Sequence, residues 1–323
     1  MRNKVIQTLL DAKQIAIYSH INSDCDAMGS TLALREALLQ KGAEVVDVYA
    51  NSSFPSNFEF YGDLSFVNKK TEGAKYDLVV CLDSASEGRL GKFKYTYRKG
   101  IKNTLCIDHH HLMNENYCKL NYVKEASSTA EILVDILSGM NVFFTETICK
   151  NLLSGIVTDT GKFSHSVSDK TFMSLSKLIK FGKIKMEDVT TPLFQSMKIE
   201  VFNLIKLAYE KLEFFADGKL GIIMFSKEDF KNTRTTLDDV DAIPDIPLQV
   251  GSVEFAILAS EDDQGYFRVS FRSKGDVISA KKVAETFGGG GHFNASGCKL
   301  FGEFDDIKQK LIGSVAETFG WKI

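Results

Sequence analysis

The stretch that decides the fold is QIAIYSHINSDCDAMGS, residues 14–30. Its first six residues are a short apolar run with isoleucine and tyrosine at its centre, the composition of a strand. Its last residues open a second pattern over 26–40, with apolar side chains at Leu32, Leu34, Leu38 and Leu39 and Gly42 placed to end it, which predicts a helix. His20, Asp24 and Asp26 fall between the two, where a strand hands over to a helix.

Working outward, EVVDVY (44–49), YDLVVCL (76–82) and TLCI (104–107) also read as strands. Short apolar strands alternating with helices predict βαβ units and an α/β fold with a mainly parallel sheet flanked by helices. Asp83 directly follows YDLVVCL, and Asp108, His109 and His110 follow or end TLCI. The carboxyl ends of parallel strands share one edge, and ligands bind there. Three strands therefore deliver acidic and imidazole side chains to one place.

Farther along, Ser128 to Glu131 (STAE) has capping-box spacing, and Ser168 precedes a periodic segment that reaches Phe181 and is closed by Gly182. The charged, helical stretch that follows has no strand signal and is the expected connection between lobes. The expected division is 1–185, a helical connection at 186–215, and a smaller α/β domain at 216–323 with strands at 220–225, 252–260 and 266–272. VAETFG occurs at 283–288 and again at 315–320. A repeat architecture needs at least three units, so this reads as one helix ending used twice.

Composition narrows the class. A chain of 323 residues with 44% apolar and 25% charged residues fits two packed domains and excludes wholesale disorder. No run approaches the roughly 18 apolar residues of a membrane span, and residues 1–20 lack a secretory layout. Six cysteines without a C-x-x-C pair do not form a disulfide framework, and Cys81 and Cys106 sit inside strand runs. Cytoplasm is the expected location, with no membrane partner. A net charge of −3 disfavours coating of long duplex nucleic acid, so a nucleic-acid substrate should be short. The basic cluster Lys92, Lys94, Arg98, Lys99 and Lys102 reads as a solvated face, and Trp321 as a packing residue.

One aspartate at a helix start complements the helix dipole. Asp24, Asp26, Asp83 and Asp108 converging on one edge repel one another unless a cation neutralises them, and so imply metal. A mixed Asp and His donor set suits Mn2+ first, with Mg2+, Fe2+ or Co2+ as alternatives.

HINSDCDAMGS (20–30), CLDSASEGRLG (81–91), IDHHH (107–111) and GIVTDTGKF (155–163) resemble, in order, the four motifs of the DHH phosphoesterase superfamily. FRVSFRSKGD (267–276) and GGGGHFNASGC (288–298) resemble the DHHA1 nucleic-acid-binding domain. In length and layout the chain is similar to the nanoRNases that also remove the 3′-phosphate of 3′-phosphoadenosine 5′-phosphate, pAp. The resemblance implies one metal on His20, Asp24 and Asp83 and another on Asp26, Asp83, His109 and Asp159, with Asp83 bridging. It implies that Asp108 orients an imidazole and that His110 faces the substrate phosphate. Position 159, in a loop after an apolar helix at 145–157, follows from the resemblance alone.

A glycine run offers backbone that can approach a phosphate closely. With His292, and with Arg268, Ser270 and Arg272 on one face of an alternating strand, Gly289, Gly290 and Gly291 form an expected substrate grip across a cleft from the first domain. The implied activity is two-metal hydrolysis of short single-stranded RNA to 5′-mononucleotides and of pAp, with a homodimer compatible. The alternatives are cleavage of linear or cyclic dinucleotides such as pApA and c-di-AMP, and a non-catalytic nucleic-acid-binding relative. A type II pyrophosphatase would lack the GGGGH signature, and a RecJ-type exonuclease would carry further domains. Cys25 stands where the family commonly has glycine, a potential soft ligand beside the metals. His111 extends the DHH triplet as an exposed loop residue.

Overall fold

Short runs rich in valine, isoleucine and leucine build a first sheet from α1 (Arg2–Asp11), β1 (Gln14–Tyr18), α2 (Cys25–Gln40), β2 (Val45–Tyr49), β3 (Leu78–Leu82), β4 (Thr104–Asp108) and β5 (Leu120–Val123). These elements come from a computed structural model that describes residues 1–50, 60–84, 86–101, 103–110, 117–240 and 243–323; Lys102 and His111 lie outside them. The strands pair in parallel in the order β2-β1-β3-β4-β5. The chain leaves β1 to one side for β2 and returns on the other side for β3, so the strand order reverses at β1, where open α/β sheets bind ligands.

Side chains alternate across this sheet. Ile15 and Ile17 of β1 join a core shared with the helices, while Ala16 and Tyr18 face an aromatic layer with Tyr49, Tyr97 and Tyr117. Cys81, Cys106 and Cys118 are buried in that layer, and none of the six cysteines is in a disulfide among the described residues. The basic cluster borders it: Arg98 pairs with Glu87 at 3.0 Å, and the Lys92 and Lys94 ammonium groups lie over the rings of Phe93 and Tyr95. β5 has no counterpart in the sequence reading, because LNYV is short and only half buried.

Five helices follow: α3 (Thr129–Gly139), α4 (Glu146–Asp159), α5 (Asp169–Gly182), α6 (Glu187–Phe194) and α7 (Ile199–Glu210). Three local expectations are corrected here. Ser128 caps α3 by accepting from the Glu131 amide, but the Glu131 carboxylate turns instead to Ser127 and Thr171, so the reciprocal half of the capping box is missing. Asp159 is the last residue of α4 and not part of a loop. Gly182 lies inside α5, and the left-handed residue that ends the helix is Lys183. Gly182 is needed for contact: a Cβ there would fall 2.5 Å from Cys149 Cβ on α4.

The chain divides into Met1–Ser196 and Met197–Ile323, and the stretch expected as a connection is shared out, with α6 in the first unit and α7 in the second. The second unit continues with β6 (Glu213–Phe215), β7 (Leu220–Phe225), α8 (Lys227–Thr233), β8 (Phe255–Glu261), β9 (Tyr266–Ser273), α9 (Ala280–Thr286), β10 (Gly290–Gly291), β11 (Ala295–Phe301) and α10 (Phe304–Phe319). Its strands order as β10-β11-β9-β8-β7-β6, antiparallel except between β7 and β8. One face packs on α9 and α10, the other on α7, α8 and the segment around Ile243. Both copies of VAETFG end a helix at a left-handed glycine, Gly288 and Gly320. Trp321 packs beside Phe319.

Candidate functional site

The carboxyl ends of β1, β3 and β4 bring their polar residues into one centre. Ligand atoms of His20, Asp24 and Asp83 lie within 4.8 Å of one another, as do those of Asp26, His109 and Asp159, and those of Asp83, Asp108, His109 and His110. Asp83 and His109 are each shared by two groups. Asp83 Oδ2 is 3.3 Å from His20 Nε2, and Asp83 Oδ1 is 3.5 Å from His109 Nε2. His109 Nε2 also lies 3.2 Å from Asp159. Asp83 leaves β3 with φ of 53°, a left-handed conformation that aspartate tolerates and that costs energy at an otherwise regular strand end.

The ligand-type residues are oriented by hydrogen-bond partners on the surrounding elements. His20 Nδ1 lies 2.6 Å from the Ile21 carbonyl, so Nδ1 keeps a proton there and Nε2 is the nitrogen that would face a metal. His109 Nδ1 reaches the Ala126 carbonyl at 3.4 Å in the same way. Asp108 Oδ1 accepts from both the amide and Nδ1 of His110 at 2.8 Å, leaving Nε2 on the half-exposed ring edge, where it donates only when the ring carries its second proton. Asp26 is held at both oxygens by the start of α3: the Thr129 amide donates to Oδ2 at 2.7 Å and the Ala130 amide to Oδ1 at 2.9 Å. The Thr129 hydroxyl donates to Asp83 Oδ1 at 3.0 Å. Gly155 of α4 permits this approach, since a Cβ there would lie 2.7 Å from Asp26 Oδ1.

The sequence reading assigned no role to Thr129, although it sits inside the STAE capping signal, or to Arg89, which lies in the quoted CLDSASEGRLG stretch. Arg89 belongs to a 3-10 segment, Glu87–Phe93, and its Nη2 is 3.1 Å from His20 Nδ1.

The electrostatics express crowded negative charge. Burial drives Asp26 well above the ordinary carboxylate range, and the charges of Asp83, Asp159 and Asp24 add to it. Asp159 is pushed to about 6, by burial first, against the lowering effect of His109. Burial opposes a charge on His20, but the carboxylates of Asp24 and Asp83 beside Nε2 outweigh it and carry the ring to about 10. His110 is raised by its hydrogen bond to Asp108. Without cations this centre collects protons instead.

The donor set fits divalent cations. His20 Nε2, His109 Nε2 and Asp108 Oδ2 are buried atoms with no hydrogen-bond partner, a costly state that coordination by a cation relieves at the imidazoles. Oxygen and imidazole donors without thiolate suit hard or borderline ions. Cys25 is not in any of the three groups, and burial pushes its thiol up to about 11. Without a metal it is therefore a neutral thiol packed under the site, outside the clustered ligand atoms.

In the second unit Arg268, Ser270 and Arg272 share one face of β9 while Phe267, Val269 and Phe271 enter the core. On that face Ser270 lies opposite Gly297 of β11, and Arg268 opposite Lys299, a further cation. Asp238 and Asp245 stand 4.0 Å from Arg268 and 3.4 Å from Arg272. The glycine run is more structured than a free loop. Gly288 ends α9, and Gly289 and Gly291 press on β11, where Cβ atoms would fall 2.2 Å from the Gly297 oxygen and 2.6 Å from Ser296 Cα. Gly288 and Gly290 have open space around their Cβ positions. His292 is exposed on the hairpin, its amide bonded to the Ala295 carbonyl at 2.8 Å, and Ala295 pairs with Arg272.

Residues 14–157 match the model of the DHH family N-terminal domain, and residues 222–317 match the DHHA1 domain. A probable bifunctional oligoribonuclease and PAP phosphatase NrnA of Streptococcus mutans is 30% identical over 306 residues, 92% of this chain and 93% of its own length. The bifunctional oligoribonuclease and PAP phosphatase NrnA of Thermus thermophilus is 30% identical over 97% of this chain and 93% of its own. An exopolyphosphatase-related protein from Bacteroides fragilis superposes with a TM-score of 0.86 at 23% identity, over 98% of this chain and 96% of that one. The exonuclease RecJ bound to manganese shares the fold at a TM-score of 0.53 and 13% identity, over 97% and 92%.

Proposed function

The chain belongs to the DHH family of phosphoesterases, and on that premise we propose that it hydrolyses short single-stranded oligoribonucleotides to 5′-mononucleotides and removes the 3′-phosphate of pAp. The observation that carries this reading is the convergence of three His and Asp groups through the shared residues Asp83 and His109. Relatives named for these two activities, matching more than nine-tenths of the chain, support the substrate class.

In this reading His20, Asp24 and Asp83 hold one divalent ion and Asp26, Asp83, His109 and Asp159 hold the other, Mn2+ by the chemistry of the donors. Two ions so held supply the Lewis acidity that activates water and offsets phosphoryl charge. The side chains do the rest. Asp83 fixes the spacing of the two sites because each of its oxygens faces a different imidazole. His110, whose proton affinity is raised by its hydrogen bond to Asp108, donates from Nε2 to the substrate phosphate in its protonated form. Arg268, Arg272, His292 and the amides around Gly290 grip the remaining phosphate and sugar. Six cysteines without a disulfide among the described residues support a cytoplasmic setting.

The test is product release from pAp and from short RNA, with linear and cyclic dinucleotides alongside, in Mn2+ and after chelation. Activity on pAp and RNA that disappears with chelator and returns with Mn2+ is expected. Asp83→Ala should lose both activities together, by at least roughly 10^3-fold, because it removes a ligand from each ion. A variant with near-normal turnover would end the bridging assignment, and preference for cyclic dinucleotides would replace the substrate class.

A further inference from the structure

Arg89 is placed by its backbone as firmly as a ligand residue. Its carbonyl accepts from the Ile21 amide at 2.8 Å, which ties the segment after β3 to the loop after β1. Its guanidinium is left in an unusual position. Nη2 stands 3.1 Å from His20 Nδ1, yet His20 Nδ1 is 2.6 Å from the Ile21 carbonyl and must donate to it when Nε2 serves as a metal ligand. A guanidinium has donors only. Two donors therefore face each other, and this contact is no hydrogen bond in the state that binds metal.

Arg89 Nε is buried and has no partner. Among the described residues no carboxylate lies within ion-pair distance of the group, although carboxylates crowd the centre beside it. A half-buried cation of this kind, with N–H groups unspent and a fork geometry that matches two oxygens of one anion, is complete only when an acceptor arrives. The charge-collecting edge of this sheet, once neutralised, receives a phosphoryl group.

We propose that Arg89 is a substrate-contacting residue of the first unit, whose guanidinium binds non-bridging oxygens of the phosphoryl group beside His20 and His110. This inference rests on the phosphoesterase reading above. It adds a cation to the phosphoryl end of the substrate that belongs to the same unit as the metal ligands. Lysine cannot replace it fully, because an ammonium is a point charge without the fork.

The test compares the wild type with Arg89→Ala and Arg89→Lys at full length. Mn2+ affinity is measured by calorimetry, inorganic phosphate affinity by titration of the Mn2+-loaded protein, and turnover on pAp separately. Expected for Arg89→Ala are a loss of roughly 10^2- to 10^3-fold in kcat/KM, phosphate binding weakened by about tenfold, and Mn2+ affinity within about twofold of wild type. Arg89→Lys, which keeps the charge and guards against a folding defect, should fall between the two. Unchanged phosphate binding in both variants would overturn the proposal. So would a fall in Mn2+ affinity as large as the fall in turnover, since Arg89 would then be a support for His20. If the wild type binds phosphate but hydrolyses nothing, the proposed activity fails while the phosphate measurement still judges Arg89.

Discussion

Thr129 joins the two candidate ion sites through a single hydroxyl. Its Oγ1 donates to Asp83 while its own amide donates to Asp26, so one residue sets the positions of two carboxylates. Thr129→Val keeps the shape and the amide and removes only the hydroxyl, leaving Asp83 Oδ1 without that donor. Mn2+ affinity should fall by about tenfold, the lower end for lost outer hydrogen bonds, and Thr129→Ser should restore it. Calorimetric titration reads the difference, and equal affinities for Val and Ser would assign Thr129 to packing alone. Protons follow from the same crowding. His20 is raised from 6.5 to about 10 by Asp24 and Asp83 against the opposing effect of burial, so at pH 7.5 a metal must displace its proton. Mn2+ uptake should release on the order of one proton or more, read as a dependence of the binding heat on buffer ionisation enthalpy. Stability has a matching sign. A raised imidazole stabilises the metal-free fold fully below about pH 6.5, and that contribution is lost as pH rises through about 10. Melting of the chelated protein should therefore drop between pH 7 and 9, and Mn2+ should remove the drop.

At the level of elements, the legible part of the site was the part carried by strands. His20, Asp83 and the Asp108 to His110 triplet each sit at the end of an apolar run, and parallel pairing sends such ends to one edge, so residue order alone brought them together. Asp159 could not be read this way. It ends α4, a helix whose approach to α2 depends on packing that no periodicity encodes, and only the resemblance of GIVTDTGKF located it. Thr129 was hidden for a related reason: Ser128 and Glu131 fit a capping pattern that made the threonine between them look like filler. Gly182 shows the opposite error, a glycine taken as a helix stop that serves the contact between α5 and α4. Gly182→Ala adds helix propensity worth about 1 kcal/mol but puts a Cβ 2.5 Å from Cys149 Cβ and 2.8 Å from its sulfur. Overpacking should prevail, with a net loss of about 1–2 kcal/mol in a denaturant titration. A stabilised variant would mean that α5 shifts freely, and would restore the reading of Gly182 as a plain terminator.

On the proposed assignment, the two units divide the work as they divide the core. The helix-covered and aromatic cores belong entirely to Met1–Ser196, and the two cores around the mixed sheet belong to Met197–Ile323. Every candidate metal ligand lies in the first unit and every candidate strand-borne phosphate donor in the second. Ligand energy is therefore deposited unequally. An ion at 100 times its Kd adds about 2.7 kcal/mol to the unit that holds it, which for a unit of this size moves its melting temperature by about 5–10 °C. Scanning calorimetry of the full chain should show two transitions, of which Mn2+ raises only one. In Asp26→Asn, which withdraws a ligand and keeps one of the two amide contacts from α3, the Mn2+ response should shrink. Arg272→Ala should leave that response intact while raising KM for pAp. A single transition that moves as one body with Mn2+ would show that the second unit draws its stability from the first, and would remove the ground for treating ion binding and substrate grip as separable properties of this chain.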